Sequence, residues 1–218
     1  MVNPLSTEAR EIVWGCLFGD GYLLKPPPIK NKRKDGTVGS ISQYRHYKLV
    51  IRHSAKQLEY ARWLYSYLKP ICHSEPKVRY YIDRRSGKKR GVVDIVTRTH
   101  SFFSRLRKYF YPKGKKEIRR KWLNKLTPLG LAVWFMDDGT TDKNRKNKVG
   151  RSRVWLATNS YSYQENLIIQ KYFAEKWGIK CSVVKERDRF KIAFNSDSKK
   201  FCDIIRPYII PSMQYKLI

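Results

Sequence analysis

Acidic residues are scarce in this chain: only 18 of its 218 residues are Asp or Glu, against 47 Lys or Arg, for a formal charge of +29. Self-repulsion of that size opposes a compact state unless a polyanion partner offsets it. Long apolar runs are missing, and the mean hydropathy of −0.62 excludes a membrane-spanning role. The N-terminus, Met1 to Leu5, has no basic-then-apolar signal, and acids at Glu8 and Glu11 argue against a transit peptide. Cysteine pairs are absent too. Cys16, Cys72, Cys181 and Cys202 form no CxxC pair and have no His at ligand spacing, which points to buried free thiols in a reducing compartment rather than zinc. The expected location is intracellular, not secreted. What the chain does have excludes a disordered basic tail: 41% hydrophobic residues, 14% aromatics and six Trp. Its length suits one medium domain or two small ones that share a core.

The cations are spread along the chain, dense at 30–34, 84–90, 113–121, 143–153 and 185–191. Tyr44, Tyr47, Tyr80 and Tyr81 lie among them. Nucleic acid calls for both features, cations for phosphates and planar groups for bases and sugars. Composition alone does not separate a binder from an enzyme.

Two apolar runs repeat. IVWGCLFGDG occupies 12–21 and LAVWFMDDG occupies 131–139, so their final aspartates, Asp20 and Asp138, lie 118 positions apart. The flanks match as well. A strand pattern at 48–53 and a helical pattern at 57–68 follow the first run; 153–160 and 164–173 follow the second. Phe102 and Phe201 keep a further matching offset of 99 positions. The predicted fold is therefore α+β, with two pseudo-symmetric half-domains of roughly αββαββα each. The expected divisions are an N-terminal half at 1–112, a linker at 113–125 and a C-terminal half at 126–218. Ser6 or Thr7 is expected to cap the first helix and Thr127 the second, with Pro128 at its first position. Gly36 to Gly39 and Ser86-Gly87 read as turns, and the loops at 26–39 and 142–150 as extensions along a duplex.

Aspartate is a poor choice at a helix C-terminus, where unpaired carbonyls carry partial negative charge. Both runs nonetheless end on Asp-Gly, and the second doubles the acid as Asp137-Asp138. The glycine reads as a left-handed residue after the helix. A cation would explain the acid, since two carboxylates with helix-end carbonyls make the oxygen set that Mg²⁺ accepts. Two such acids side by side on a basic surface are the layout for metal-assisted phosphodiester hydrolysis. The runs are too apolar to face water, so they should pack on each other, with Gly15 and Gly19 allowing close approach. Val133 and Asp137 hold the matching positions in the second run, so the contact cannot be symmetric.

VWGCLFGDG at 13–21 and LAVWFMDDG at 131–139, with HSAKQLEY at 53–60, LTP at 126–128 and PSMQYKL at 211–217, resemble the LAGLIDADG homing endonucleases of the single-chain, two-motif type. The resemblance covers nearly the whole chain. It implies motif helices at a pseudo-two-fold interface and antiparallel sheets forming a saddle on double-stranded DNA. It also implies metal ligation by Asp20 and Asp138, with the backbone carbonyls of Gly19 and Asp137 as further ligands. The metal would be Mg²⁺, with Mn²⁺ able to substitute, and cleavage would leave short 3′ overhangs. Family members place one lysine per half near the scissile phosphates; by position these are Lys116 and Lys216, with Lys115 a rival for the first.

Sequence reading falls to the strand faces, where Arg can pair with guanine. The candidate DNA contacts are Tyr44, Lys48, Arg52, Arg79, Tyr81, Arg84, Arg151, Arg153, Lys185, Arg187, Arg189 and Lys191. In 187–194, Arg187, Arg189 and Lys191 alternate with Phe190, Ile192 and Phe194, as in a half-buried strand with a cationic outer face. The resemblance implies a monomeric, site-specific endonuclease encoded in an organelle, mitochondrion or chloroplast, or acting in a prokaryotic cytoplasm. Its rivals are an intron RNA maturase, whose partner would be the host intron RNA, and a DNA-binding regulator without catalysis.

Overall fold

The Ser6 hydroxyl accepts the Ala9 N–H and starts α1 (Thr7–Phe18), so of the two candidate caps it is Ser6 that acts. The computed structural model describes residues 5–33, 36–146 and 152–218. After α1 the chain runs through β1 (Gly21–Leu24), β2 (Ile29–Lys32), β3 (Val38–Ser42), β4 (Lys48–Ser54), α2 (Leu58–Leu68), β5 (Val78–Ile82), β6 (Lys89–Val96) and α3 (Ser101–Phe110). A one-turn helix, α4 (Arg120–Leu123), leads to α5 (Pro128–Asp138), β7 (Gly139–Lys146), β8 (Ser152–Leu156), α6 (Tyr163–Trp177), β9 (Ser182–Glu186), β10 (Arg189–Ala193) and α7 (Ser198–Ile205). Apart from the extra strands β2 and β3, each half reads αββαββα. The sheets share a topology: β1-β4-β6-β5 in one, β7-β8-β10-β9 in the other, antiparallel throughout.

By its contacts the chain divides into two compact units, Met1–Asp20 with Lys116–Ile218, and Gly21–Lys115. In the second unit, β4 buries Leu49, Val50 and Ile51 in succession and alternates only in its second half, where Arg52 and Ser54 are exposed and His53 is buried. Ile51 pairs with Ile95 and His53 with Val93 of β6, and α2, which packs on both strands, buries Tyr60, Ala61, Leu64 and Leu68. The segment 26–39, expected as a loop, carries β2 and the first two residues of β3. This hairpin turns at Gly36, whose φ of 84° suits glycine, and Asn31 Nδ2 donates across it to the Ser40 and Ser42 hydroxyls. Gly39 is therefore a strand residue, whereas Gly87 (φ 66°) turns the β5–β6 hairpin as expected.

In the first unit, the Thr127 hydroxyl accepts the Gly130 N–H to start α5, and itself donates to Glu11 of α1 at 2.8 Å. Phe173 of α6, Phe201 of α7 and Phe194 form an aromatic core, with Phe194 stacked on Phe201 at 3.9 Å between centroids. Each such burial stabilises by about 1.5–3 kcal/mol before ring geometry is counted. The stretch expected as a linker is firmly held here: Ile118 and Leu123 are buried, the Ile118 N–H donates to Glu165 Oε1 at 2.8 Å, and Trp122 stacks on Trp14. No helix among the described residues is long and apolar enough to cross a membrane. The cysteines are free thiols; Cys181 is half-buried and the other three are buried.

Candidate active site

The two apolar runs form α1 and α5, which pack on each other. Every α5 residue from Leu129 to Met136 is buried, as an apolar surface on all sides requires. Close approach depends on Gly15, where a Cβ would sit 2.5 Å from the Gly130 carbonyl oxygen and 2.6 Å from Val133 Cβ. Phe18 and Trp134 meet beside it, 5.1 Å between centroids.

This contact brings the ends of both motifs into one unit with Lys116 and Lys216. Asp20 lies beyond the last turn of α1 and is exposed, whereas Asp138 is the last residue of α5 and half-buried. Burial pushes the Asp138 carboxyl up to about 8; the charges of Asp137 and Asp20 add to this, and those of Lys116 and Lys216 oppose it. The glycines after the acids do not serve as left-handed residues, which corrects the sequence reading. Gly139 is extended (φ −79°, ψ 149°), and Gly21 begins β1. Gly139 answers a need for space: a Cβ there would lie 2.1 Å from Phe135 Cδ2.

The carbonyls that end the two helices are served by donors from other elements. Tyr161 donates its hydroxyl to the Phe18 carbonyl at 3.1 Å, and Lys116 Nζ donates to the Gly19 carbonyl at 3.2 Å. On the other copy, Lys216 Nζ donates to the Met136 carbonyl at 2.5 Å and the Asp137 carbonyl at 3.3 Å. The Thr141 hydroxyl donates to the Lys216 carbonyl and fixes the segment that carries it. Burial lowers the pKa of both lysines, and the three aspartates partly offset that. Lys115 is exposed, so Lys116 is the lysine that reaches the motif end. The Gly19 and Asp137 carbonyls, expected as metal ligands, here accept the lysine ammonium groups.

The donor set suits a divalent ion. Asp20, Asp137 and Asp138 offer hard carboxylate oxygens of the kind a divalent ion accepts, and the negative charges of Asp137 and Asp20 add to the burial that raises the Asp138 pKa. Cys16 is buried near them with its thiol pushed well above the usual range by burial, so it acts as apolar filling.

The candidate DNA contacts divide differently from their sequence pattern. In the Gly21–Lys115 unit, Lys48 and Arg52 share one face of β4, and the register sets Arg52 opposite Asp94. Arg52 Nε donates to Asp94 Oδ1 at 2.6 Å, and Arg79 donates to the other oxygen, so one carboxylate holds two of the expected cations. Tyr81 lies opposite Arg90, exposed; Arg84 is exposed in the turn after β5, and Tyr44 is half-buried before β4.

In the other unit, Arg153 pairs with Asp142 in the β7–β8 register, and Arg151 lies outside the described residues. Arg187 is not a strand residue. It occupies the two-residue turn between β9 and β10 at φ 58°, because Glu186 pairs directly with Arg189. Arg189 is exposed on β10. Lys191 lies 4.2 Å over the Trp155 ring and 2.5 Å from Glu186, so its charge is largely satisfied within the protein. Lys185 pairs with Phe190 and so has the parity of the face that Phe190 turns to Tyr163 of α6, not that of Arg189 and Lys191.

A family model described as the LAGLIDADG DNA endonuclease family matches residues 10–201. The chain belongs to this family. The cytochrome b mRNA maturase bI2 of Debaryomyces hansenii is 30% identical over 99% of this chain and 75% of its own length. A probable intron-encoded DNA endonuclease 3 of Mycosarcoma maydis is 38% identical over 56% of this chain and 89% of its own. RecA of Mycobacterium gastri is 28% identical over 98% of this chain, which spans only 48% of that protein. Among solved structures, the homing endonuclease I-WcaI bound to its DNA recognition sequence matches with a TM-score of 0.82 at 27% identity, covering 100% of this chain and 88% of that one. Thus this LAGLIDADG chain has relatives named as maturases and as endonucleases.

Proposed function

We propose that this protein is a site-specific double-strand DNA endonuclease that hydrolyses phosphodiesters with a divalent ion, Mg²⁺ or Mn²⁺, and leaves short 3′ overhangs. The observation that carries the reading is the gathering of Asp20 and Asp138, one from each motif end, with Lys116 and Lys216. The relatives named as DNA endonucleases and the likeness to a homing endonuclease bound to its recognition sequence support it.

Asp20 and Asp138 would hold the ion, which supplies Lewis-acid polarisation of the phosphate and a bound water of lowered pKa. The chain's own groups do the rest. The two ammonium groups, held at the motif ends in partly buried surroundings, would offset the negative charge that grows on the phosphate oxygens, where each hydrogen bond counts for more than in water. The cationic strands place the duplex: Arg189 and Arg153 on one sheet, Arg52, Arg79 and Lys48 on the other. Phosphate contact by this many cations makes affinity fall steeply with salt.

Asp20→Asn and Asp138→Asn should each abolish cleavage of a duplex selected from a randomised target library, while DNA binding in Ca²⁺ persists. Full nicking by the double variant would falsify the assignment.

A second reading has its own support in the maturase bI2 relative, which matches over 99% of this chain. In it the same surface binds the host intron RNA. A splicing assay on that intron, with and without the protein, tests this; no acceleration removes it.

A further inference from the structure

The two motif copies differ at the residue before the acid: Gly19 in the first, Asp137 in the second. The structure makes use of this difference. Gly19 leaves the helical path with ψ −130°, so the N–H of Asp20 departs from the α1 ladder. The Asp137 side chain meets it there, and Oδ2 accepts the Asp20 N–H at 3.0 Å from 117 positions away. Room for that carboxylate exists because residue 19 has no side chain: a Cβ on Gly19 would lie 2.4 Å from Asp137 Oδ2 and 2.6 Å from Asp137 Cβ. Glycine in one copy and aspartate in the other are therefore a complementary pair.

We propose that the Asp137 side chain is a positioning residue for Asp20 and makes the two halves of the cleavage site unequal. This rests on the reading of Asp20 as an active-site acid. A charge-assisted bond to a backbone N–H fixes the peptide plane on which the Asp20 carboxylate is mounted, and such bonds are about twice as strong as neutral ones. Gly19 has no side chain with which to return the favour to Asp138. Asp138 depends instead on its place inside α5. The strand whose scission relies on Asp20 should therefore respond to residue 137 more than the other strand does.

The experiment uses the full chain and a duplex selected by wild-type cleavage from a randomised library, with each strand end-labelled. Asp137→Ala should change the ratio of the two nicking rates by about 10-fold or more, since small misplacements of a reacting group cost on the order of 10²-fold. Asp137→Asn, whose Oδ1 can still accept the N–H, should keep the ratio within about 3-fold of wild type. Amide hydrogen exchange at Asp20 should speed up in the alanine variant and stay slow in the asparagine variant. If Asp137→Ala fails to fold, Gly19→Ala serves instead, because its Cβ displaces the carboxylate and should shift the ratio in the same sense. Equal slowing of both strands, or an unchanged ratio, overturns the proposal. The Asp20→Asn control separates the two readings: if it abolishes nicking while the Asp137 variants leave the ratio alone, only the positioning role fails.

Discussion

Asp94 and Asp138 are both carboxylates in a chain with 47 Lys or Arg, and they are treated in opposite ways. Burial raises the pKa of Asp94, but the bonds from Arg52 and Arg79 outweigh it and hold the group below its usual range. Among the described residues Asp138 has no guanidinium partner to offset its burial, two further acids add to it, and its pKa rises to about 8. Guanidinium partners are plentiful here, so pairing an acid with one is the easy outcome. Asp138 instead sits among carboxylates, with only the ammonium groups of Lys116 and Lys216 to oppose them, and a strongly perturbed carboxyl of this kind is what the proposed cation site would use.

The largest expected effect tests what surrounds Asp138. Lys216→Met and Lys116→Met should each slow nicking by about 10²-fold or more, the scale on which preorganised charge acts in catalysis. Lys115→Met should change the rate by less than about 3-fold, as an exposed cation on a screened surface does. Equal losses at 115 and 116 would return the choice between them to the open state in which the sequence leaves it.

Next in size is the packing that brings the acids together. Gly15→Ala puts a Cβ against the Gly130 backbone, which cannot swing aside as a flexible side chain would. Overpacking of this kind costs about 1–3 kcal/mol, read as a lower urea midpoint at unchanged m-value. A neutral result would mean that the α1–α5 contact gives way easily, and with it the argument for a fixed pair of acids.

Much of this arrangement is legible in the sequence because it rests on local rules. The repeated apolar runs, the Thr127-Pro128 start and the strand–helix order follow from periodicity and capping, and the structure contains them. Pairings between distant residues are not legible. Nothing local shows that Arg52 and Arg79 share Asp94, that Lys191 leans on Trp155 and Glu186, or that Tyr161 serves the Phe18 carbonyl. The place of Arg187 is hidden for a related reason: alternation continues through 187–194, but the hairpin turn falls inside it. Asp137 is the intermediate case. Its mismatch with Gly19 is visible in the repeat, but the bond to the Asp20 N–H needs the fold.

A pH titration of ion-free protein sharpens the comparison. A raised carboxyl favours the folded state while it keeps its proton, and the unfolded chain loses that proton near pH 3.9. Stability from Asp138 is therefore present at acid pH and declines as pH rises from about 4 to about 8. Asp94, with its lowered pKa, contributes above the ordinary carboxylate range and loses that as pH falls through its folded value. The thermal midpoint should drop by a few degrees between pH 5 and pH 8, a slope that Asp138→Asn flattens and Asp94→Asn does not. Adding Mg²⁺ should raise the midpoint at pH 8, because an ion held only by the folded state stabilises it by mass action.

The smallest effect concerns Asp94 itself. Arg52 and Arg79 are 52% and 65% exposed, so water screens both pairs and Asp94→Ala should cost only about 0–1 kcal/mol of stability. Its larger consequence is for recognition. Held by one carboxylate, the two guanidiniums keep a fixed separation and direction on their sheet face; released, they become two mobile cations that suit any phosphate. Affinity for random duplex should then rise slightly, since one negative charge has left the surface, while preference for the selected target falls by about 5-fold or more, the discrimination of about 1 kcal/mol that one lost base contact carries. Competition binding in Ca²⁺ between the selected duplex and random DNA measures both. If the preference survives unchanged, Asp94 only neutralises charge, and its difference from Asp138 is one of environment without consequence for sequence reading.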